Sequence, residues 1–468
     1  MKKIVFFLFL SLQMAAQEQS LRKGMVIDSL KVSDTLDESF SLYLPMAFKG
    51  QEPWPVLFLF DEQGRGKTVA QLFKSAAEDQ GYILASSNDI SSHKPLVKNV
   101  EIAARLLTAV SEMLPIDYNQ ISTAGSMDGA KVATSVPLLF DNIHGVIAVG
   151  NQWINFDVLD RKKNFSFIGV VGDEQYTASG MSFTADQLSR LKFPSIVYTY
   201  EGNEDWPTPE IISTSVGSLT LNAMKQELRP VDPELVDQLY SADLARVNKL
   251  ISLQKLIAAN NLLDIMREKY EGLRSTSEVR NRQDQIQRSR NFVQQQFEYQ
   301  KAIEKEERLM DDFIYYMDQD LRTANFENLG WWNYQKNQLD SLAQKGGPEG
   351  KLANRLKGFI LELAGINEQQ LEKDHAPLEP QLLVNMLQTI FDPADFDSYK
   401  EVISLSAMDN DFGTALFYLE EMLKHGYDNK EELYSIEGTL GLRLTKDYNW
   451  LIEKYLGSAR FHETNPEK

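Results

Sequence analysis

The chain has 468 residues, a formal charge of −19 at pH 7, 43% hydrophobic and 25% charged residues, and no cysteine. That length exceeds one ordinary hydrophobic core and implies two or three domains. The acidic balance argues against nucleic-acid binding, which needs a basic face for backbone phosphates, and against attraction to anionic lipid. Without cysteine, disulfides, thiol chemistry and a lipid-bearing cysteine are all excluded.

Met1-Lys2-Lys3 precedes the apolar run Ile4 to Leu12, and Ala15 and Ala16 follow as small residues. Charge, then apolar run, then small residues is the order of a secretory signal peptide, expected over 1–17 with cleavage near Ala16 or Gln17. About nine apolar residues are too few for the ~20 that span a bilayer as a helix. The competing reading is an apolar N-terminal strand. The expected location is the periplasm or the exterior, with no transmembrane segment after cleavage and no lipid anchor.

Met25 to Val32 and Ser39 to Leu44 alternate β-branched or aromatic with polar residues and read as strands, the second ended by Pro45. Pro55 to Phe60 is a continuous apolar run, the pattern of a strand buried on both faces. A helix is expected from about Thr68 to Gln80, a strand at Tyr82 to Ser87, and a helix over Val100 to Leu114. Further strands are expected at Gln120 to Thr123, Gly145 to Val149, Phe165 to Val171 and Ser195 to Tyr200. Strands alternating with helices imply an α/β domain with a doubly wound, mostly parallel sheet.

Two glycine-bearing turns stand out. Gly64-Arg65-Gly66-Lys67-Thr68 ends like a phosphate-binding loop, but the required glycine five positions before Gly66 is Asp61, so the cradle is incomplete. Ile121 to Ala133 has the shape of a strand end, a tight turn bounded by Gly125 and Gly129, and a helix start. That is the setting of G-x-S-x-G, where a serine nucleophile sits on a strained turn. Here the central residue is Met127, whose thioether has no proton to lose and cannot attack a carbonyl.

In order, these segments resemble secreted bacterial α/β hydrolases of the esterase and polyhydroxyalkanoate-depolymerase type. Family patterns F-D-x-x-G-R-G, G-Y-I-x-x-x-S-N and G-F-S-G-G-A-R-V-A correspond to Phe60 through Gly66, Gly81-Tyr82-Ile83 with Ser87-Asn88, and Gly125 through Ala133. The resemblance covers roughly residues 25 to 225 and implies an α/β-hydrolase sheet. It places the family serine at Met127. The family aspartate falls at Gln175 in Val171-Gly172-Asp173-Glu174-Gln175-Tyr176. The family histidine, in G-G-H-x-W-P, falls at Glu204, with Gly202, Trp206 and Pro207 fixing the register. All three positions of the expected triad are therefore changed.

Residue order alone agrees. This fold takes its histidine after the last strands. Of the five histidines, His93 and His144 come too early, and His375, His425 and His462 lie well beyond the sheet. Ser126 is the fallback nucleophile, and it would lack a general base. Asp128, Asp173, Glu174, Glu204 and Asp205 form an acidic cluster with three readings: solvated loops, oxygen ligands for a hard cation such as calcium, or paired carboxylates for glycoside hydrolysis. No cofactor and no metal are expected. Trp153 and Trp206 are read as packing residues, the alternative being a pocket mouth for an apolar ligand.

From about residue 229 helical spacing takes over, after Asp232-Pro233 as cap and first turn. Thr276 to Glu307 reads as a long charged helix and Leu309 to Leu342 as an amphipathic one anchored by Trp331-Trp332. Lys345-Gly346-Gly347-Pro348 breaks the pattern before a helix at Leu352 to Leu363. After the connection His375 to Pro380 come Ala394 to Met408, Phe412 to His425 closed by Gly426, and a third helix from Lys430. The hairpin resembles terminal units of tetratricopeptide-like arrays, although no ~34-residue period is visible. The expected organisation is a signal peptide over 1–17, an α/β-hydrolase-like domain over 18–228, a helical region over 229–375 and a tetratricopeptide-like region over 376–468. The functional expectation is a catalytically degenerate binding or scaffold protein of the cell envelope, its helical part offering a surface to a protein partner. The alternative is a divergent secreted serine esterase or polymer hydrolase.

Overall fold

The computed structural model describes residues 21–157, 159–160 and 163–461. The expected signal peptide and His462 lie outside the described residues. The first part of the chain alternates strands and helices: β1 (Val26–Lys31), β2 (Ser39–Tyr43), β3 (Trp54–Asp61), α1 (Gly66–Gln80), β4 (Ile83–Ser87), α2 (Leu96–Met113), β5 (Ile116–Ser126) and α3 (Asp128–Leu139). It continues with β6 (Ile143–Val149), β7 (Ser166–Gly172), α4 (Ala178–Arg190), β8 (Ser195–Tyr200) and α5 (Pro209–Lys225). The eight strands form one sheet in the order β1-β2-β4-β3-β5-β6-β7-β8. β2 runs antiparallel to both β1 and β4, and every other pairing is parallel.

Residues Val56 to Phe60 are fully buried, as a strand covered on both faces requires. The pleat sends Val56, Phe58 and Phe60 to one face, against α2 and α3, and Leu57 and Leu59 to the other, against α1 and α5. Helix α1 stops where Gly81 takes φ 73° and donates its N–H to the carbonyl of Ala77. Parallel strands in this arrangement place their carboxyl ends along one edge, where open α/β sheets carry their sites.

The sheet's core does not end at residue 228. Helices α6 (Pro233–Ser252), α7 (Leu256–Tyr270) and α8 (Ser277–Gln287) lay Leu235, Tyr240, Val247, Leu263 and Val279 onto the α1/α5 face, and the cluster extends to Phe292. The change to helical spacing marks a change of element and not of core, because the apolar stripes turn toward the sheet. A buried ion pair fixes this layer. Lys269 Nζ lies 2.8 Å from Asp243, with side chains 1% and 3% exposed, and Tyr270 Oη donates to the same carboxylate at 2.8 Å.

The remainder is α9 (Arg290–Thr323), α10 (Leu329–Lys345), α11 (Gly347–Lys373), α12 (Leu378–Phe391), α13 (Phe396–Met408), α14 (Phe412–Lys424), the single turns α15 (Lys430–Leu433) and α16 (Leu440–Arg443), and α17 (Lys446–Leu456). The expected helix over 276–307 is two helices, because Ser289 caps α9 by accepting from the N–H of Phe292. The expected helix over 309–342 breaks at Ala324, which adopts φ 49°. Trp332 is fully buried, and its indole N–H donates to Asp320 at 2.8 Å, so the tryptophan anchor is real. A second core runs from Ala302 to Phe391 and a third from Tyr399 to Ala459, so α12 packs with the helices before it. Among the described residues, no helix is long and apolar enough to cross a membrane.

Candidate functional site

Strand β5 and helix α3 meet at Met127, the only residue between them. Its backbone is strained, with φ 50° and ψ −117°, a region that L-residues rarely enter and that costs on the order of 1–3 kcal/mol. The neighbouring glycines make the turn geometrically possible. A Cβ on Gly125 would lie 2.1 Å from the carbonyl oxygen of Gly129, and one on Gly129 would lie 2.3 Å from that of Phe60. This is a nucleophile elbow, with a half-buried methionine at its tip.

Strand order, parallel register and this elbow decide the architecture. The first domain has the α/β-hydrolase fold. No protein-family model matches the chain, and a search of curated proteins finds no match. Among solved structures, the chain is similar to a hyperthermophilic esterase of Pyrobaculum calidifontis, at 12% identity and TM-score 0.36, over 43% of this chain and 85% of that one. It is also similar to a fluorophosphonate-binding serine hydrolase of Staphylococcus aureus, at 12% identity and TM-score 0.36, over 42% and 99% of the two chains. An S-formylglutathione hydrolase of the same organism gives 14% identity and TM-score 0.34, over 43% and 98%.

The three positions matched to the hydrolase triad meet at the carboxyl edge of the sheet. Met127 Sδ and Gln175 Nε2 both press on Gly150, where a Cβ would lie 2.6 Å and 3.2 Å from them. Gln175 is 7% exposed and works as a staple: its Oε1 accepts from the N–H of Gly172 at 2.8 Å, and its Nε2 donates to the carbonyl of Glu204 at 3.2 Å. It ties the loop after β7 to the loop after β8. Glu204 itself is exposed, and its carbonyl also accepts from Tyr200 Oη at 2.5 Å. Gly202 adopts φ 102°, and its N–H donates to Asp173 at 3.1 Å. The interactions these groups make are hydrogen bonds between loops, and no imidazole stands at the three matched positions.

A second feature of the site was not read from the sequence. In a hydrolase elbow, the N–H after the nucleophile is an oxyanion donor. Here that N–H belongs to Asp128, and it donates to Glu62 Oε2 at 3.2 Å. The protein's own carboxylate therefore occupies a donor that would stabilise a tetrahedral intermediate. Burial raises the pKa of Glu62, and the charges of Asp128, Asp205 and Asp61 raise it further, outweighing the hydrogen bond from Asp128.

Beside it, Asp61 is fully buried and accepts from Arg65 Nη2 at 2.8 Å, Trp206 Nε1 at 2.7 Å and the N–H of Gln63 at 2.9 Å. Burial pushes its pKa up, but these bonds outweigh burial and hold it below the usual carboxylate value. Arg65 continues to Asp205 at 3.2 Å. The Gly64-Arg65-Gly66 stretch thus joins the loops after β3 and β8. Gly66 is needed for close packing, since its Cβ would lie 2.8 Å from the carbonyls of Ser86 and Ser87.

The remaining predicted residues fall as follows. Ser126 is fully buried, and among the described residues its hydroxyl has no hydrogen-bond partner and no base within reach. Asp128 pairs with Lys131 at 2.7 Å. Asp173 and Glu174 are neither solvated loops nor an assembled cation site. Asp173 pairs with Lys351, and Glu174 accepts from Asn354 Nδ2 at 2.9 Å, both on α11. Among the described residues, no group of three or more His, Asp and Glu side chains is placed to hold a metal ion. His144 lies at the start of β6, at the sheet end opposite the elbow, and burial lowers its pKa. His425 lies 6.1 Å from the Tyr399 ring in the third core. Trp206 packs edge-on against Phe73 at 5.4 Å, as a packing residue should, whereas Trp153 is 53% exposed and does not.

Proposed function

We propose that this chain is a non-catalytic binding or scaffold protein built on an α/β-hydrolase fold. The observation that carries the reading is the elbow itself: the strained tip holds Met127, and the adjoining oxyanion donor, Asp128 N–H, is occupied by Glu62. A triad without its serine retains only ~10³–10⁴-fold catalysis over water, and here the donor that would supply it is engaged as well. The basic–apolar–small order of residues 1–17 supports export to the periplasm or beyond, and the absence of cysteine supports a protein without a lipid anchor. The helical hairpin α13–α14, capped by Asp411 and closed at Gly426 with φ 97°, supports a tetratricopeptide-like surface for a protein partner.

Purified protein assayed against short-chain and lipid-like esters is expected to give no turnover above buffer. Robust turnover abolished by one substitution in the cleft would sink the reading. Rebuilding the chemistry supplies the converse. Met127→Ser with Gln175→Asp and Glu204→His is expected to stay inactive, and adding Glu62→Ala is expected to give measurable ester hydrolysis. Activity in the triple variant alone would show that Glu62 does not block the donor.

A further inference from the structure

Helix α11 lies on the loop after β7, at the cleft edge, and meets it through polar side chains. Lys351 pairs with Asp173, Asn354 Nδ2 donates to Glu174 at 2.9 Å, and Arg355 Nη1 donates to the carbonyl of Asp173 at 2.5 Å. One ring joins them: Tyr176 lies against Gly358, where a Cβ would meet its Cδ1 at 3.3 Å. Tyr176 is the residue after Gln175, the cleft's staple. Burial raises its pKa first, and the charge and hydrogen bond of Glu362 on α11 add to this, with Asp128 and Glu62 contributing from the elbow side. The docking surface is therefore polar, and it lies on the loop after β7, beside the elbow.

The covalent link between the two bodies is equally thin. The first core ends at Phe292 and the second begins at Ala302. Between them α9 runs with residues 296–301 outside both cores, Phe297 at 70% and Tyr299 at 40% exposed. Gln295, just before, is held only at the α6–α7 turn, through the carbonyl of Gln254 at 2.8 Å and the N–H of Leu256 at 3.1 Å. This stretch lies inside the continuous helix α9 and adds no residue to either core, so the link there is a single helix held by its own backbone hydrogen bonds. Beyond the link, Arg355 is bound to Glu306 at 2.7 Å, within the second body. So α11 and distal α9 move together, and the contacts that break on separation are the Asp173, Glu174 and Tyr176 ones.

We infer that the helical region from about residue 302 is a lid, held on the loop after β7 by the α11 contacts and able to bend away at residues 296–301 of α9 to uncover Tyr176 and the cleft edge beside the elbow. A polar interface between bodies joined by one exposed segment is the arrangement in which relative motion is the default. The inference stands whether or not the cleft turns over an ester.

The test uses the full chain spin-labelled through p-acetylphenylalanine at the exposed positions Ser189 on α4 and Glu379 on α12. Lys351→Glu sets like charges against Asp173 and is expected to add a second, longer inter-label distance. Salt at about 1 M, where screening shortens to about 3 Å, is expected to do the same without any substitution at the interface. Because the chain has no cysteine, a short bis-maleimide between Glu174→Cys and Asn354→Cys addresses that contact alone, and it is expected to remove the longer distance. A single unchanged distance in both Lys351→Glu and high salt overturns the lid, as does a longer distance that the cross-link leaves in place.

Discussion

The two ends of the molecule are held together by different physics. In the sheet body, apolar runs are sandwiched between helix layers, and the layers are pinned by buried charge, as at Lys269 and Asp243. In the helical region, amphipathic helices stack around Trp332, and their meeting with the sheet body is made by polar side chains, Lys351 and Asp173 among them at 34% and 21% exposed. The difference teaches that the elbow and the helical region are separable: the elbow is a fixed part of a continuous core, while the helical region rests on the loop beside it.

Two substitutions break this comparison most strongly. Lys269→Met leaves the Asp243 carboxylate buried without its cation, and is expected to destabilise the sheet body by about 3–5 kcal/mol. Trp332→Ala empties the second core and takes from Asp320 its indole donor, leaving those of Asn325 and Asn328, and is expected to cost about 3–5 kcal/mol there. Urea unfolding followed separately in the two bodies checks both: each variant should shift one transition and leave the other in place. A shift of both transitions by the same amount would mean that the bodies unfold as one unit.

Gly129→Ala comes next. Its Cβ must displace the backbone at Phe60, which cannot yield as a side chain can, so about 3 kcal/mol or more should be lost from the sheet body. Thermal unfolding measures it. An unchanged midpoint would contradict the close approach of α3 and β3.

The smallest effect sharpens the account of the elbow. Glu62 has a raised pKa in the fold, so the folded state binds its proton more tightly. Its contribution is most favourable below its unfolded value and weakens as pH rises through the folded one. Asp61 has the opposite sign: its contribution is present above the unfolded carboxylate value and is lost as pH falls through the lowered folded one. Glu62→Gln is therefore expected to stabilise the protein at pH 7, by less than about 1 kcal/mol, and to flatten the stability curve on the acid side of neutrality. Denaturation midpoints at pH 7 and pH 5 read this directly. A loss of stability at pH 7 would mean that the Glu62 charge is welcome where it sits.

Much of the sheet could be read from the sequence because local pattern determines it. Pro55 to Phe60 announced a doubly covered strand, and Ser195 to Tyr200 was placed to the residue. The elbow was legible for a related reason, since the geometry of a tight turn demands glycine at 125 and 129. What escaped depends on contacts distant in sequence. Glu62 meets Asp128 across 66 positions, and nothing near residue 62 reveals that its carboxylate turns back to the elbow. Asp173 and Glu174 looked like free acidic residues because their partners on α11 lie some 180 positions away. Lys351 and Arg355, one helical turn apart, were the available signal. That one core continues past residue 229 was not legible because an amphipathic stripe states that a helix has a buried face, and not which core buries it.

Intact-mass measurement after exposure to a fluorophosphonate asks whether the elbow carries a nucleophile. An unchanged mass is expected for the native chain over hours at neutral pH. A stoichiometric adduct, mapped to Ser126 or to any other hydroxyl in the cleft, would contradict it.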